Sequence, residues 1–183
     1  MNAVRMKNVK YTVADIYALP DGKRAELIDG EIFYLMSPPN TQHQRIITML
    51  IRTIGDHIEK KGGKCEVFTA SFGVFLFNDD ENYVEPDISV VCNLSKLGED
   101  GCHGAPDWII EIISPSSRKM DCITKKNKYM EAGVREYWIV DPEAEAVLIC
   151  DFENGKEMSF SFKNLIKSVI FDLEMDFLIF SQQ

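Results

Sequence analysis

The chain has 183 residues, 45% of them hydrophobic and 27% charged, and its 20 Lys and Arg against 29 Asp and Glu give a formal net charge of −9. That composition excludes a disordered chain or a multidomain machine, and the negative charge opposes long-range attraction to nucleic acid or an anionic membrane, so any nucleic-acid contact has to be local. No run reaches the roughly 18 apolar residues of a membrane-spanning helix, residues 1–10 carry no signal-like apolar stretch, and a cytoplasmic protein without membrane partners is expected.

Thr12 is placed to cap a short helix, reinforced by Asp15 and ended by Pro20. Asp29-Gly30 between the apolar runs 25–28 and 31–35 predicts a β-hairpin with a two-residue turn. Over residues 40–61, Ile46, Ile47, Leu50, Ile51, Ile54 and Ile58 recur at intervals of three and four, which predicts a long amphipathic helix with Asn40 as its cap and Gly62-Gly63 as its stop. Residues 66–70, 72–77 and 83–92 read as meandering strands. The near-continuous apolar run 107–114 predicts a strand covered on both faces, at the centre of a sheet. Ser114-Pro115-Ser116-Ser117 then opens a helix of about three turns ending at Gly133, before a strand over residues 136–140. Strand, helix, strand implies a right-handed crossover between parallel strands. Residues 147–152, 157–162 and 177–180 read as a β-rich C-terminal end, and nothing divides residues 1–183 into more than one domain. The five cysteines, Cys65, Cys92, Cys102, Cys122 and Cys150, are scattered and form no CxxC pair, so they read as free thiols.

Glu111 is the anomaly of the central strand. Burying a carboxylate among Ile109, Ile110, Ile112 and Ile113 costs several kcal/mol unless it is paired or holds a metal. Asp87, just after Pro86 in the run 83–92, is a second strand-borne acid. On neighbouring strands the two could converge on a hard cation such as Mg²⁺, which takes oxygen ligands and keeps waters; the competing reading pairs each with a buried Arg or Lys. The next stretch carries Arg118, Lys119, Lys125, Lys126 and Lys128, opposed only by Asp121. Helical spacing places Lys125 and Tyr129 on the face of Asp121, with Lys125 leaning toward the acids, whereas Lys126 and Lys128 suit a solvated face equally well. Glu85 shares a strand face with Asp87 by the two-residue period and is a candidate to support it. Glu26 reads equally as a third acid or an ordinary strand-end glutamate, and His43 as a capping-turn or core-edge histidine ahead of a base. Cys102-His103 lacks the second pair of a zinc site.

Glu26-Leu27-Ile28-Asp29-Gly30-Glu31, Met36-Ser37-Pro38-Pro39, His43-Gln44, Pro86-Asp87, Glu111-Ile112-Ile113-Ser114-Pro115-Ser116 and the run from Ala132-Gly133 to Asp141-Pro142 occur in that order. With them the chain resembles, over residues 12–180, the Uma2 family of endonucleases, also called DUF820, which looks like a branch of the PD-(D/E)XK nuclease superfamily. The resemblance implies an α/β fold with a restriction-endonuclease-like core, a mixed central β-sheet flanked by helices, and additional N- and C-terminal strands. It implies an endonuclease dependent on Mg²⁺ or Mn²⁺ that hydrolyses nucleic acid, DNA before RNA, by a metal-activated water. By position, Asp87 and Glu111 are the catalytic metal ligands, joined by the main-chain carbonyl of Ile112, and Glu26 is the acid from the N-terminal part of the fold. The superfamily lysine two residues after the glutamate is Ile113 here, and Lys125 on the following helix is the matching position. Glu85 and His43 are expected to support these groups, and Arg118 and Lys119 to hold the nucleic-acid backbone. The alternative is a catalytically inactive nuclease-fold module that binds DNA or protein; a hydrolase of another phosphate ester ranks third. The apolar segment 171–180 reads as a core strand first and as a homodimer interface second.

Overall fold

A computed structural model describes residues 10–35 and 40–181; the Met36-Ser37-Pro38-Pro39 motif lies outside the described residues. The main-chain N–H and the hydroxyl of Thr12 both donate to Asp15 Oδ2, at 2.8 and 3.1 Å, and start α1 (Val13–Tyr17). β1 (Ala25–Ile28) and β2 (Glu31–Tyr34) form the hairpin, with Asp29 and Gly30 at φ 54° and 78°, the left-handed pair such a tight turn demands. Asn40 accepts from the His43 N–H at 2.9 Å and caps α2 (Thr41–Lys60).

The expected meander is divided differently. β3 (Glu66–Thr69) and β4 (Val74–Phe75) are followed by β5 (Tyr83–Val84) and β6 (Ile88–Val91), so the run 83–92 breaks at Glu85-Pro86-Asp87 and its halves enter different sheets. Pro86 has no N–H to give a ladder, and the chain leaves strand geometry there. β7 (Cys102–His103) and β8 (Trp108–Ile112) lead to a π-helical stretch, Met120–Lys125, that runs directly into α3 (Lys126–Ala132), in place of a uniform α-helix. Gly133, at φ 91°, ends it. β9 (Glu136–Asp141), β10 (Ala146–Asp151) and β11 (Lys156–Ser161) follow. The last strands are β12 (Leu165–Lys167) and β13 (Glu174–Asp176), not residues 177–180; Asp176 Oδ1 accepts from the Leu178 N–H at 2.8 Å, which turns Leu178–Phe180 into a short 3₁₀ helix.

The larger sheet has the order β11-β10-β9-β8-β6-β3, and β8 lies antiparallel to β6 and parallel to β9, as a crossover requires. Alternation along β8 sends Trp108, Ile110 and Ile112 toward Ile46, Leu50 and Ile54 of α2, with Phe162, Met175 and Phe177 closing the same core. Ile109 and Ile113 point the other way, toward Tyr129 of α3 and toward Val74 and Val84 of the second sheet, whose order is β2-β1-β5-β4-β7. Glu111 shares that second face by parity. Leu173, Met175, Phe177 and Phe180 are buried and serve the core, whereas Leu178 and Ile179 are exposed. Among the described residues no helix is long and apolar enough to cross a membrane.

The expectation of five free thiols fails for one pair: Cys65 and Cys92 are disulfide-bonded. In the β3–β6 ladder Glu66 opposes Val91, and one step outward Cys65 opposes Cys92 with their Cα atoms 3.9 Å apart. Two cysteines separated by 27 positions become neighbours only through strand register, which their spacing does not contain. Cys102, Cys122 and Cys150 are free.

Candidate active site

Glu111 Oε1 accepts from Lys125 Nζ at 2.9 Å and from the Tyr129 hydroxyl at 2.8 Å, while Oε2 accepts from the Asp87 main-chain N–H at 3.3 Å. The same ammonium lies 2.8 Å from Glu26 Oε1 and 3.6 Å from Asp121 Oδ1. Asp87 Oδ2 accepts from the Ile112 main-chain N–H at 2.8 Å and meets His43 Nε2 at 3.1 Å. Carboxylates from β1, β8 and the π-helical stretch therefore converge on one lysine, Asp87 from the β5–β6 break joins them through Glu111, and Glu26, Glu111, Asp121 and Lys125 are all buried. A π-helical stretch inserted in an otherwise α-helical run re-aims side chains, and such stretches recur at functional sites.

The charges are unequal. Burial pushes the Glu111 carboxyl up, Lys125 opposes this, and Asp121, Asp87 and Glu26 push it up further. Asp121 is raised mainly by its own burial. Burial works against the Lys125 ammonium, but Glu111, Glu26 and Asp121 outweigh it and hold the amine well above its ordinary range. Tyr129 is likewise held protonated by burial and by Glu111, so its hydroxyl is a dependable donor. One buried cation thus faces three carboxyl groups at close range.

Of the residues singled out in the sequence, Glu26, Asp87, Glu111, Lys125 and His43 come together. Ile112 brings its main-chain N–H to Asp87. Glu85 serves differently than its spacing implies. Its main-chain N–H donates to Glu26 Oε1 at 3.0 Å, while its carboxylate turns to Arg24 and to the Tyr83 hydroxyl at 2.9 Å, because the two-residue period ends at Pro86. Arg118 pairs with Asp141 at 2.5 Å and Glu143 at 3.7 Å, Lys126 with Glu157 at 2.6 Å, and Lys128 with Asp29 at 2.9 Å and Glu131 at 2.7 Å. Lys119 is exposed. The basic stretch is therefore largely occupied in ion pairs. His103 pairs with Asp100 at 2.8 Å and stacks on Phe75, away from this cluster. Asp121 and Tyr129 were not among the expected site residues, although their spacing of four from Lys125 on one helical face was the available signal.

Among the described residues no group of three or more His, Cys, Asp or Glu side chains forms a ready-made metal cage. Mg²⁺ is ordinarily held through one or two carboxylates plus waters, and Asp87 and Glu111 are such a hard-oxygen pair, so the donor set fits that cation.

A model of the Uma2 family, described as "Putative restriction endonuclease", matches residues 13–174. The chain belongs to the Uma2 family. This Uma2 chain is also 28% identical over 99 residues to "Uncharacterized protein slr1290" of Synechocystis sp., a match covering 54% of the chain and 50% of that relative. The matched part thus spans about half the length of the curated relative. In three dimensions the Uma2 chain is similar to a crystal structure from Anabaena variabilis described as "a putative nuclease belonging to DUF820", with TM-score 0.73 and 22% identity, covering 92% of this chain and 96% of that one. The likeness establishes the mixed α/β fold.

Proposed function

We propose that the acid cluster around Lys125 is the centre of a Mg²⁺-dependent endonuclease that hydrolyses phosphodiester bonds, with DNA as its substrate. The observation that carries this reading is the convergence of Glu26 and Glu111 on one buried lysine that the chain supplies from a helix, with Asp87 joined to Glu111 through its main-chain N–H. Asp87 and Glu111, with the Ile112 carbonyl, are the residues to hold the cation. When bound, Mg²⁺ (or Mn²⁺) lowers the pKa of a water and screens phosphate charge.

The chain's own groups do the remainder. His43 and the Ile112 N–H fix the Asp87 carboxylate, and Tyr129 and the Asp87 N–H fix Glu111. Lys125, kept protonated by its acidic neighbours, offers N–H donors to the charge that develops on a phosphoryl oxygen. Glu26 holds Lys125 in place and orients a water, and the Glu85 N–H braces Glu26. Lys119, exposed next to the exit of β8, is the backbone contact on that side, whereas Arg118 is held by Asp141 and Glu143.

The test is a substrate panel at low salt with Mg²⁺ and with EDTA: supercoiled DNA, single-stranded DNA, RNA and bis(p-nitrophenyl) phosphate. Cutting of DNA in Mg²⁺ but not in EDTA is expected. Cutting of RNA alone would move the substrate, hydrolysis of the small ester alone would favour another phosphate-ester hydrolase, and binding of DNA without cutting of any substrate would favour an inactive module.

A further inference from the structure

Lys125 draws on the same carboxylate as the cation assigned above. Its Nζ sits 2.9 Å from Glu111 Oε1 and 2.8 Å from Glu26 Oε1, with Asp121 Oδ1 farther off at 3.6 Å. We propose that Lys125 is a built-in competitor of the divalent cation for Glu111, and that Asp121 is the positioning residue that lets the ammonium yield, an inference that rests on the metal-dependent reading above.

The first argument is the use of the oxygens. Glu111 Oε1 accepts from both Lys125 and the Tyr129 hydroxyl, whereas Oε2 has the longer 3.3 Å bond from the Asp87 N–H. Oε2, on the Asp87 side, is therefore the oxygen open to a cation that Asp87 also holds, and ammonium and cation then share one carboxylate. Glu111 and Lys125 are each 5% exposed, and in a site so shielded from water like charges repel far more strongly than in solvent. The second argument is the supply of other partners. An ammonium has three N–H donors, and two of the acids around it, Glu26 and Asp121, lie outside the pair assigned to the cation. Glu26 is fixed by the Glu85 N–H at 3.0 Å. Asp121 is anchored through its main chain, its N–H donating to the Ser117 carbonyl at 3.0 Å and its carbonyl accepting from the Tyr137 hydroxyl at 3.2 Å, yet its carboxylate stops short of a hydrogen bond to Lys125. A buried acid four residues from the lysine and just out of bonding range is placed to take a larger share of the ammonium when Glu111 is engaged. The third argument is reciprocity. A cation that loosens Lys125 from Glu111 is itself weakened by Lys125 by the same factor.

Calorimetric titration with Mn²⁺ at one fixed pH and without nucleic acid tests this on the wild type, Lys125→Met, Asp121→Asn and the double variant. Lys125→Met is expected to bind Mn²⁺ about tenfold more tightly than the wild type, and Asp121→Asn about fivefold more weakly. In the Lys125→Met background Asp121→Asn is expected to add nothing, because it acts through the lysine. Equal or weaker binding by a folded Lys125→Met would overturn the competition. An undiminished affinity in Asp121→Asn, or the same loss in both backgrounds, would overturn the positioning role of Asp121. Because Lys125→Met removes a buried charge, the wild type is also read directly by NMR of its lysine ammonium groups: saturating Mg²⁺ is expected to shift the Lys125 signal, and an unmoved signal would overturn the competition. Cutting of DNA by a wild type that binds Mn²⁺ leaves the nuclease reading standing whichever way these results fall. A wild type and a Lys125→Met that neither bind Mn²⁺ nor cut any substrate would overturn both readings.

Discussion

Lys125 Nζ stands 2.8 Å from Glu26 and 2.9 Å from Glu111, with Asp121 at 3.6 Å, and without it these carboxylates would face one another in the protein interior. Removing one partner of a buried ion pair costs about 3–5 kcal/mol, so Lys125→Met is expected to lower unfolding free energy by about that amount in urea titrations at neutral pH. An unchanged midpoint would show that the ammonium does not hold the acids. The thiols give a second test. Burial pushes Cys102 and Cys150 up to about 11. Because the folded state then binds these protons more tightly than the unfolded chain, their contribution to stability is present below the ordinary thiol pKa, near 9, and is lost as pH rises toward 11. Stability is expected to fall across that interval. Alkylation of the native chain at pH 8, followed by mass spectrometry, should label the half-buried Cys122 before Cys102 or Cys150; early labelling of Cys102 would contradict the burial argument. At this scale Glu111 was legible, because a lone acid amid isoleucines demands a partner. Asp121 was not, since a short acid among lysines also reads as an ordinary surface charge.

Among the elements, β8 was the most readable: its apolar run marked a covered strand, and in the fold its alternation sets Glu111 on the face opposite Trp108, Ile110 and Ile112. The hairpin turn and the caps of α1 and α2 were equally plain, because they depend on a few adjacent residues. The break at Pro86 and the Cys65–Cys92 bond were hidden in sheet membership and register, which only long-range pairing decides. Glu136 is the instructive contrast to Glu111. It is as deeply buried on the adjacent strand, yet its carboxylate accepts from Trp138 Nε1 at 2.6 Å, Ser168 Oγ at 2.8 Å, and the N–H groups of Val169 and Ile170 at 2.9 and 3.0 Å. Neutral donors from Trp138 on its own strand and from the segment leading to β13 satisfy it, so it ties the C-terminal strands to β9. Glu136→Ala is expected to destabilise the protein by about 3 kcal/mol, measured by urea unfolding, by orphaning these buried donors. A change below about 0.5 kcal/mol would contradict the clamp.

In the whole molecule, residues at positions 26, 87, 111, 121 and 125 reach one point because the small sheet, the large sheet and the crossover helix share a single buried face. Sequence order alone held the family resemblance and the acids, and the match over residues 13–174 bears out the family. It did not hold the occupation of the basic stretch by ion pairs, since Asp29, Asp141 and Glu157 come from remote strands and turns. The role proposed for this acid cluster is metal-dependent cleavage of a phosphodiester. Its most direct test is the cleavage rate of labelled DNA in Mg²⁺ by wild type and by Asp87→Asn, a substitution that keeps an oxygen for the Ile112 N–H while removing the negative charge. A loss of about a hundredfold or more with an unchanged thermal midpoint is expected. Wild-type cleavage by a folded Asp87→Asn protein would contradict it.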